Sequence, residues 1–281
     1  MSTITIPETV RRLLASQPIE LPIFHPVALK LQKMLSDYDF TVDEVAQVAN
    51  EDMSLASQML KIANSPMYMG RSKVATIKEA VIRMGAQQVI NLVIAASQES
   101  AHTSTNPVLD CYMKHLWLHS HCSALGGRWL ADSCGMRGVA DETYLAALLH
   151  DIGKLYLLKS LERLVTAGVI SSMFDEELIV EVFEAMHVEQ GYRMMQHWNF
   201  PSMYCDVIAG HHTEEWDSVN KMLTIVRFVN HACHKLGIGL KHEPELILRD
   251  TPEAVSLDIS DTMIVELEAV LEDARESSTE E

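Results

Sequence analysis

A histidine followed directly by an aspartate, His150-Asp151, is the pair in this sequence best suited to chemistry. It ends an apolar run, residues 144–149, that has the pattern of a buried helix. An imidazole nitrogen beside a carboxylate oxygen suits a first-row divalent metal that keeps a position open for water or phosphate. Lys154, one turn further on, could steady a phosphoryl oxygen as a point charge. The pair therefore predicts a metal centre in which Asp151 and Lys154 are the candidate catalytic residues.

Further histidines stand in or beside predicted helices on either side of this pair. The candidate metal ligands are His119, His150, Asp151, His187, His211 and His212. Helices that point such side chains into a shared interior can build a centre for one or two metal ions. Because no cysteine joins the set, it favours Fe, Mn, Ni or Co over a structural zinc ion. The alternative is a buried polar network that only orders the helices.

The remaining histidines of the chain, which include His25 and His234, need no special role. Any single histidine, taken alone, is more often a surface residue or a satisfied core residue than a metal ligand. The prediction of a metal centre therefore depends on the set and not on one member.

The elements that must position these residues are helical nearly everywhere. Pro26 suits the first turn of a helix, and Thr41 forms a capping box with Glu44 at the start of the next one. About five short helices are expected in the first hundred residues. No β-hairpin or βαβ pattern is present in the sequence, so we predict an all-α fold.

The second half of the chain carries the candidate ligands on longer helices. Asp141 is expected to cap the helix that delivers His150. Residues 176–184 and 187–198 are expected to form two consecutive helices. A polar stretch with a proline, residues 101–107, interrupts the helical pattern and is the candidate boundary. The prediction is a helical subdomain over 1–106, a second over 107–272 and a disordered tail over 273–281.

Composition limits the classes of function. The 281 residues carry a formal net charge of −17, from 22 basic and 39 acidic residues, which opposes non-specific nucleic-acid binding. The five cysteines form no CxxC pair and are typical of reduced thiols in the cytosol. The sequence has no signal-peptide pattern and no apolar run long enough to span a membrane. We therefore expect a soluble, cytoplasmic protein.

Several linked motifs make the sequence resemble a known family. They are Leu21-Pro22-Ile23-Phe24-His25-Pro26-Val27, Glu51-Asp52-Met53-Ser54-Leu55, Leu60-Lys61-Ile62-Ala63-Asn64-Ser65, Ile77-Lys78-Glu79-Ala80-Val81-Ile82-Arg83-Met84-Gly85, Leu116-Trp117-Leu118-His119-Ser120 and Ala147-Leu148-Leu149-His150-Asp151-Ile152-Gly153-Lys154-Leu155. Across roughly residues 15 to 240 the chain resembles the HDOD family, part of the HD superfamily of metal-dependent phosphohydrolases.

The resemblance implies a fold and a broad role. HDOD proteins are all-α, with an N-terminal helical bundle packed against an HD-like helical subdomain. They are widespread in bacteria and are tied mainly to signalling and regulation. Many have lost the metal ligands, and no general enzymatic activity is established for the family. The resemblance therefore implies a protein partner in a signalling pathway and a phosphate-containing small ligand.

The resemblance also assigns site residues. The residues that match the first three ligand positions of the superfamily are His119, His150 and Asp151. The dinuclear HD-GYP relatives have additional histidines, and the matching residues here are His187, His211 and His212.

The sequence departs from the superfamily pattern at the last ligand. The superfamily ends its ligand set with an aspartate, and the matching position here is Asn230, whose neutral carbonyl is a weaker ligand for a hard cation. His231 could substitute, but it would point about a quarter-turn away on the same helix. The GYP motif is also missing after His212, which disfavours hydrolysis of cyclic di-GMP.

Two functions of different classes follow. The leading hypothesis is an HDOD regulatory or signalling protein with a partly degenerate HD-type metal site. The alternative is a metal-dependent phosphohydrolase that acts on a nucleotide or another phosphate ester, in which a metal ion activates water.

Overall fold

The structure of the protein is a computed structural model, and it describes residues 24–37, 40–64, 70, 72–168 and 176–279. These residues form helices, turns and connecting loops, with no β-strand among them, which confirms the all-α prediction. The chain divides into two compact units between Ala101 and His102. This division comes slightly before the predicted boundary at residues 106 and 107, and the predicted assignment of subdomains stays a prediction.

The first unit contains short helices, as the sequence predicts. They are α1 (Pro26–Asp37), α2 (Val42–Ala49), α3 (Met53–Ala63), α4 (Ile77–Met84) and α5 (Ala86–Ala101). Helix α5 is buried continuously from Gln88 to Gln98 and forms the centre of this unit. Helices α1, α3 and α4 pack against it, because each presents an apolar stripe.

Local sequence signals explain several helix starts in this unit. Helix α1 begins at Pro26, as expected for a first-turn proline. The capping box predicted at α2 is present: the Glu44 amide donates to Thr41 Oγ1, and the Thr41 amide donates to a carboxylate oxygen of Glu44 at 2.7 Å. Asp52 caps α3 by accepting from the Leu55 amide at 2.9 Å.

The second unit contains longer helices. They are α6 (Pro107–Ser133), α7 (Ala140–Leu149), α8 (Ile152–Thr166), α9 (Glu176–His197), α10 (Ser202–Gly210), α11 (Lys221–Leu236), α12 (Pro252–Leu257) and α13 (Asp261–Thr279), with 3₁₀ turns at Arg137–Val139 and Leu248–Asp250. Helix α6 is 27 residues long and contacts α7, α8, α11 and α13. Helix α8 packs against α9, and α9 packs against α10. The candidate ligands lie on or next to these helices.

Two expectations for this unit differ from the structure. Helix α7 begins at Ala140 without a side-chain cap, because the Asp141 carboxylate faces the Arg128 guanidinium at 3.3 Å instead of the helix amides. The helices expected at 176–184 and 187–198 are one continuous helix, α9. Its residues Val182 and Met186 are buried, and its contact with α8 keeps it helical through the expected break.

The end of the chain also differs from expectation. Helix α13 continues to Thr279, whereas the ordered part was expected to end at residue 272. Leu271 and Ala274 are buried, and Arg275 donates to the Leu236 carbonyl oxygen, so packing against the end of α11 holds this last part of the helix. None of the described helices combines the length and the apolar composition that crossing a bilayer requires.

Candidate metal centre

The His150-Asp151 pair lies at the junction between α7 and α8. Both side chains are buried. The junction can pass this close to α9 because residue 153 is a glycine: a Cβ atom there would collide with the His187 carbonyl oxygen and lie 2.8 Å from the Gly191 amide nitrogen. Gly153 therefore brings Asp151 beside the histidine that α9 contributes.

The Asp151 carboxylate is surrounded by imidazole rings. Its Oδ2 atom lies 3.7 Å from His119 Nε2 and 3.5 Å from His150 Nε2. Its Oδ1 atom lies 3.7 Å from His187 Nε2 and 3.4 Å from His211 Nε2. All five residues are buried. Each carboxylate oxygen therefore faces its own pair of histidines.

Backbone carbonyl groups fix which nitrogen of each ring faces Asp151. The Nδ1 atoms lie 2.6–3.0 Å from carbonyl oxygens, and the pairs are His119 with Ile238, His150 with Ala147, His187 with Phe183 and His211 with Ile208. A carbonyl oxygen can only accept, so each Nδ1 carries the proton and donates. In a neutral ring the Nε2 atom then presents a lone pair. This is the arrangement of metal-binding histidines in general.

The carbonyl group that orients His119 belongs to a glycine-flanked loop. Gly239 has φ +110°, and a Cβ atom there would lie 2.9 Å from the Cβ atom of His119. A larger residue at position 239 would push the loop away and with it the Ile238 carbonyl oxygen. No local pattern in the sequence displays this approach to His119, so the effect of the loop was missed.

The protonation states of the centre favour cation binding. Burial lowers the pKa of His150 to about 3 and that of His187 to about 4, so both rings are neutral near pH 7. Burial alone would raise the pKa of the Asp151 carboxyl group, but the Lys154 ammonium beside it holds that pKa well below its usual range. The centre therefore offers neutral nitrogen ligands around an ionised carboxylate.

The residues of the centre fall into two overlapping groups that share Asp151. One group is His119, His150 and Asp151; the other is Asp151, His187, His211 and His212. Within each group the ligand atoms lie within 4.8 Å of one another. In the second group, buried atoms without a hydrogen-bond partner among the described residues are Asp151 Oδ1, His187 Nε2 and His211 Nε2. A buried polar atom without a partner is costly, and a shared cation would satisfy all three.

The two adjacent histidines at 211 and 212 play different parts. His211 is buried and its Nε2 atom faces Asp151, whereas His212 is more exposed and its ring packs against those of His187 and His211. His212 also lines a cavity that opens beside the centre. The cavity has a volume of about 550 Å³, and His119, Asp151 and His187 form part of its wall.

Lys154 lies where the sequence predicts it, next to the carboxylate. Its Nζ atom donates to Asp151 Oδ2 at 2.6 Å, and its side chain is 17% exposed and lines the cavity. The ammonium group therefore neutralises the Oδ2 side of the carboxylate while it remains accessible to a ligand.

Helix α11 contributes a residue that the sequence analysis set aside. Asn230 and His234 are both buried on this helix, and His234 lines the cavity with its ring stacked on His119 at 5.9 Å between centroids. His231 instead lies 3.8 Å from Glu253, so it faces away as its position on the helix predicts. The signal for His234 was its spacing of one turn after Asn230, on the same face of the helix.

Arg227 is a second residue that the sequence analysis missed. Its guanidinium group donates to the backbone carbonyl oxygens of Gly210, His211 and Thr213 at 2.9–3.0 Å. Its Nε atom donates to Glu253 at 2.7 Å. Arg227 therefore holds the backbone that carries His211 and His212. No local pattern marks an arginine whose partners are distant carbonyl groups.

The structure thus brings together the predicted residues His119, His150, Asp151, Lys154, His187, His211 and His212. That they bind metal stays a prediction. The convergence depends on tertiary contacts that the sequence does not display, chiefly the close approach at Gly153 and the Arg227 contacts.

Comparison with known proteins finds a family and a relative that each match most of the chain. The HDOD domain family matches residues 21–214. An uncharacterized protein of Treponema pallidum (strain Nichols) is 22% identical over 217 residues, which cover 75% of this chain and 42% of that protein. The chain thus spans less than half the length of the curated relative it matches.

Several solved structures share the fold. An HDOD domain protein with unknown function from Geobacter sulfurreducens has a TM-score of 0.75 and 22% identity, covering 98% of this chain and 97% of that chain. A Shewanella amazonensis SB2B protein with the provisional name of metal-dependent phosphohydrolase has a TM-score of 0.69, 19% identity, and coverage of 96% and 99%. A Marinobacter aquaeolei VT8 protein with the provisional name of signal transduction protein has a TM-score of 0.67, 20% identity, and coverage of 99% and 66%.

Proposed function

The chain belongs to the HDOD domain family, and we propose that it is a regulatory protein whose state depends on a divalent metal ion held around Asp151. The observation that carries this proposal is the set of partnerless buried atoms, Asp151 Oδ1, His187 Nε2 and His211 Nε2. Each of the two imidazoles is fixed by a backbone carbonyl group with its lone pair toward the carboxylate. A network that only ordered the helices would leave fewer such atoms without partners.

The ligand set indicates the class of metal. Neutral imidazoles with one carboxylate and no thiolate suit Fe, Mn, Ni or Co. When bound, such an ion supplies Lewis-acid polarisation of an oxygen ligand. The residues of the chain supply the fixed ring orientations and the carboxylate charge, and they leave the cavity side of the centre open to a ligand.

The Oδ1 side of Asp151 is better prepared for a cation than the Oδ2 side. At Oδ1, two imidazoles lack partners and His212 is a third ligand within reach. At Oδ2, the ammonium group of Lys154 already neutralises the carboxylate charge. The resemblance to the superfamily also places Asn230, a weaker ligand than aspartate, in the Oδ2 group. We therefore expect one tightly held ion per chain, with a weaker second position between His119 and His150, whose Nε2 atoms are 3.3 Å apart.

Metal content per chain tests this proposal. Tag-free protein is loaded with Mn²⁺, dialysed and measured by plasma mass spectrometry. We expect about one ion in wild type, loss of the ion in His211→Ala and retention of most of it in His119→Ala. The matched control is His115→Ala, which changes an exposed histidine one turn before His119 on the same helix. Wild-type protein without metal would contradict the proposal, and metal lost only in His119→Ala would contradict its placement at Oδ1.

The proposed regulatory role is exercised through a protein partner and not through catalysis at the metal centre. The weakened Oδ2 ligand group and the likeness to a protein named for signal transduction support this role over turnover. We propose that the protein partner is cytoplasmic. We also propose that the subdomains at 1–106 and 107–272 have different roles. Capture of partners with the full chain should recover a protein with wild type that is reduced with Asp151→Ala. Unchanged capture by the variant, or no change in regulated phenotypes on deletion of the gene, would contradict it.

A second candidate function is a metal-dependent phosphohydrolase, favoured by the position of Lys154. Its ammonium group lies between the carboxylate and the cavity, where it could hold a phosphoryl oxygen and stabilise developing negative charge. The test is hydrolysis of p-nitrophenyl phosphate and its diester with Mn²⁺. Metal-dependent hydrolysis that is lost in Asp151→Ala and reduced about 10²–10³-fold in Lys154→Gln would favour the enzyme. Hydrolysis that persists in Asp151→Ala would exclude it.

A further inference from the structure

The first unit contains a cavity of its own, and the described residues of its wall belong to neither ligand group of the metal centre. Its volume is about 340 Å³, at the small end of the range for sites that bind small molecules. Three helix ends form the wall: the start of α1, the start of α3 and the end of α5. The polar residues of the wall are His25, Asp52, Ser54, Gln58, Ser97 and Ser100.

Polar contacts between wall residues link the three helix ends to one another. The His25 amide donates to Ser97 Oγ at 2.9 Å, which links the start of α1 to α5. The His25 Nε2 atom lies 3.3 Å from Asp52 Oδ2, which links α1 to α3. Ser100 Oγ lies 3.1 Å from Gln58 Oε1, which links α5 to α3. The fold itself therefore holds the wall in place, which lowers the cost of ordering it around a ligand.

Two side chains of this wall have hydrogen-bonding capacity that the described residues leave unused. Ser97 is 4% exposed, and its Oγ atom accepts from the His25 amide but donates to no described residue. The Gln58 amide uses one of its two ends on Ser100, and either orientation of the amide leaves the other end for a ligand. A buried donor without an acceptor is costly. The wall therefore favours a ligand with hydroxyl groups, which both accept and donate.

The charge of the wall disfavours an anion and does not require a cation. Among the described residues no lysine or arginine lines the cavity, whereas Asp52 does. The Asp52 carboxylate already accepts from the Leu55 amide at 2.9 Å and faces the His25 ring. Because Asp52 caps α3, the positive end of that helix balances part of its charge. The cavity therefore suits an uncharged ligand.

The serines of the wall are not arranged for nucleophilic catalysis. The Val27 amide donates to His25 Nδ1 at 3.3 Å, and His25 Nε2 faces Asp52. Neither ring nitrogen is left to take a proton from a serine hydroxyl group, as an activated serine requires. The arrangement therefore indicates binding and not turnover.

We propose that this cavity binds a small neutral polyol, such as a monosaccharide or a cyclitol. Hydroxyl groups of the ligand accept from Ser97, exchange hydrogen bonds with the Gln58 amide and donate to the Asp52 carboxylate. Its C–H groups contact Phe24 and Leu55, which are buried in the same wall. The site uses no ligand of the metal centre, so the inference does not rest on the proposed function.

Matched neutral and anionic sugars test the ligand class. D-glucose and D-glucuronate share a ring and differ by a hydroxymethyl group against a carboxylate, and myo-inositol is a second neutral probe. Saturation-transfer NMR titration of the full chain should give a Kd on the order of 1 mM for the better neutral probe. Glucuronate should bind at least about tenfold more weakly, because its charge is repelled by Asp52. Failure of both neutral probes, or equally tight binding of glucuronate, would overturn the proposal.

Substitution of Gln58 locates the site. Gln58→Leu removes the amide and keeps a side chain of similar size, so the affinity for the neutral probe should fall about 3–10-fold. The matched control is Gln87→Leu, which removes an amide bonded to Asn91 at 3.1 Å, away from the described wall, and should bind as wild type does. Circular dichroism checks that both variants are folded. Wild-type affinity in Gln58→Leu would overturn the placement.

A variant of the metal centre separates this inference from the proposed function. Asp151→Ala should bind the neutral probe with wild-type affinity, whatever its metal content. Loss of probe binding in Asp151→Ala, with wild-type binding in Gln58→Leu, would place the polyol at the metal centre and overturn the inference. Metal content measured on the same samples tests the proposed function independently.

Discussion

Each of the two compact units contains a histidine beside an aspartate, and the two arrangements differ in which ring nitrogen is free. In the first unit, His25 Nε2 lies 3.3 Å from Asp52 Oδ2, and both side chains are about one-third exposed. The Val27 amide donates to His25 Nδ1, so that atom is an acceptor and the proton of the neutral ring is on Nε2. This Nε2 faces Asp52 as a donor.

In the second unit the pattern is reversed. The Nδ1 atoms of His150 and His211 donate to carbonyl oxygens, so the Nε2 atoms face the Asp151 carboxylate with lone pairs. Lone pairs that face a buried carboxylate repel it, unless a cation lies between them. His25 and Asp52 satisfy each other, whereas Asp151 Oδ1 and the Nε2 atoms of His187 and His211 have no hydrogen-bond partner among the described residues. The same residue types thus serve as a helix-start contact in one unit and as a candidate metal centre in the other.

The largest expected effect is the difference in metal affinity between the Asp151→Ala and Asp52→Ala variants. Asp151→Ala should lower metal affinity by at least about 100-fold, since it removes the one carboxylate that both ligand groups share. Asp52→Ala should leave metal content unchanged, since the imidazole beside it has no free lone pair for a metal. Metal content of both variants and of wild type, loaded in parallel, checks this prediction. Equal loss of metal in the two variants would break the comparison.

Arg227 should matter to both the stability and the metal affinity of the second unit. Arg227→Gln removes the partner of the buried Glu253 carboxylate and frees three carbonyl groups, so we expect a loss of about 3–5 kcal/mol in the free energy of unfolding. Metal affinity should fall about 10–100-fold, because the backbone of His211 and His212 loses its support.

Urea unfolding and Mn²⁺ titration measure the two effects of this change. The control is Arg249→Gln, since the pair of Arg249 with Asp261 is exposed and should contribute about 0–1 kcal/mol. A variant Arg227→Gln that is destabilised but binds Mn²⁺ with wild-type affinity would show that Arg227 supports the fold alone.

The Arg227–Glu253 pair should also give a pH-dependent contribution to stability. Burial alone would raise the pKa of Glu253, but the His231 ring at 3.8 Å and the hydrogen bond from Arg227 lower it to about 2, below the ordinary value of 4.5. Because the folded-state pKa is depressed, the stabilisation is fully present above about pH 4.5 and is lost as the pH falls toward 2.

The unfolding free energies of wild type and Glu253→Gln, compared from pH 7 to pH 3, isolate this contribution. The difference should be on the order of 2 kcal/mol at pH 7 and should shrink below pH 4.5. Titrations of the histidines that do not contact Glu253 are common to both proteins and cancel. A difference that stays constant over this range would contradict the assignment.

The smallest expected effect is in the first unit. Asp52→Ala removes the cap of α3 and the contact with His25, so we expect Tm to fall by about 1–4 °C. Asp52→Asn, which can still accept from the Leu55 amide, should recover most of the loss. Differential scanning calorimetry measures both. A larger fall for Asp52→Asn than for Asp52→Ala would show that the cap is not the main contribution.

The sequence predicted the residues of the candidate centre better than the geometry that orients them. The His150-Asp151 step and the family motifs pointed to the ligand set because they are local patterns. The contacts of Arg227 and the approach of Gly239 to His119 join residues far apart in sequence, so no pattern displayed them. The choice of ring tautomer likewise depends on carbonyl groups such as that of Ile238, which only the folded chain brings near.

The helix predictions were right where the deciding contacts are local in sequence and wrong where they join distant parts of the chain. Thr41 and Pro26 sit in helix starts whose partners are neighbours in sequence, and both predictions are confirmed. Asp141 was wrong as a cap because its carboxylate faces Arg128, a residue on another helix. The continuous α9 and the last turns of α13 are held by packing against α8 and the end of α11. Intrinsic helix propensity depends on the local sequence alone, so it does not include either of these contacts.

Anomalous diffraction from a crystal of the Mn²⁺-loaded full chain tests the central claim most directly. The account predicts a peak beside Asp151 Oδ1, in contact with the Nε2 atoms of His187 and His211. A peak found only at Oδ2, between His119 and His150, would contradict the order of the two positions. The absence of any peak at Asp151 in fully loaded crystals would contradict the metal centre itself.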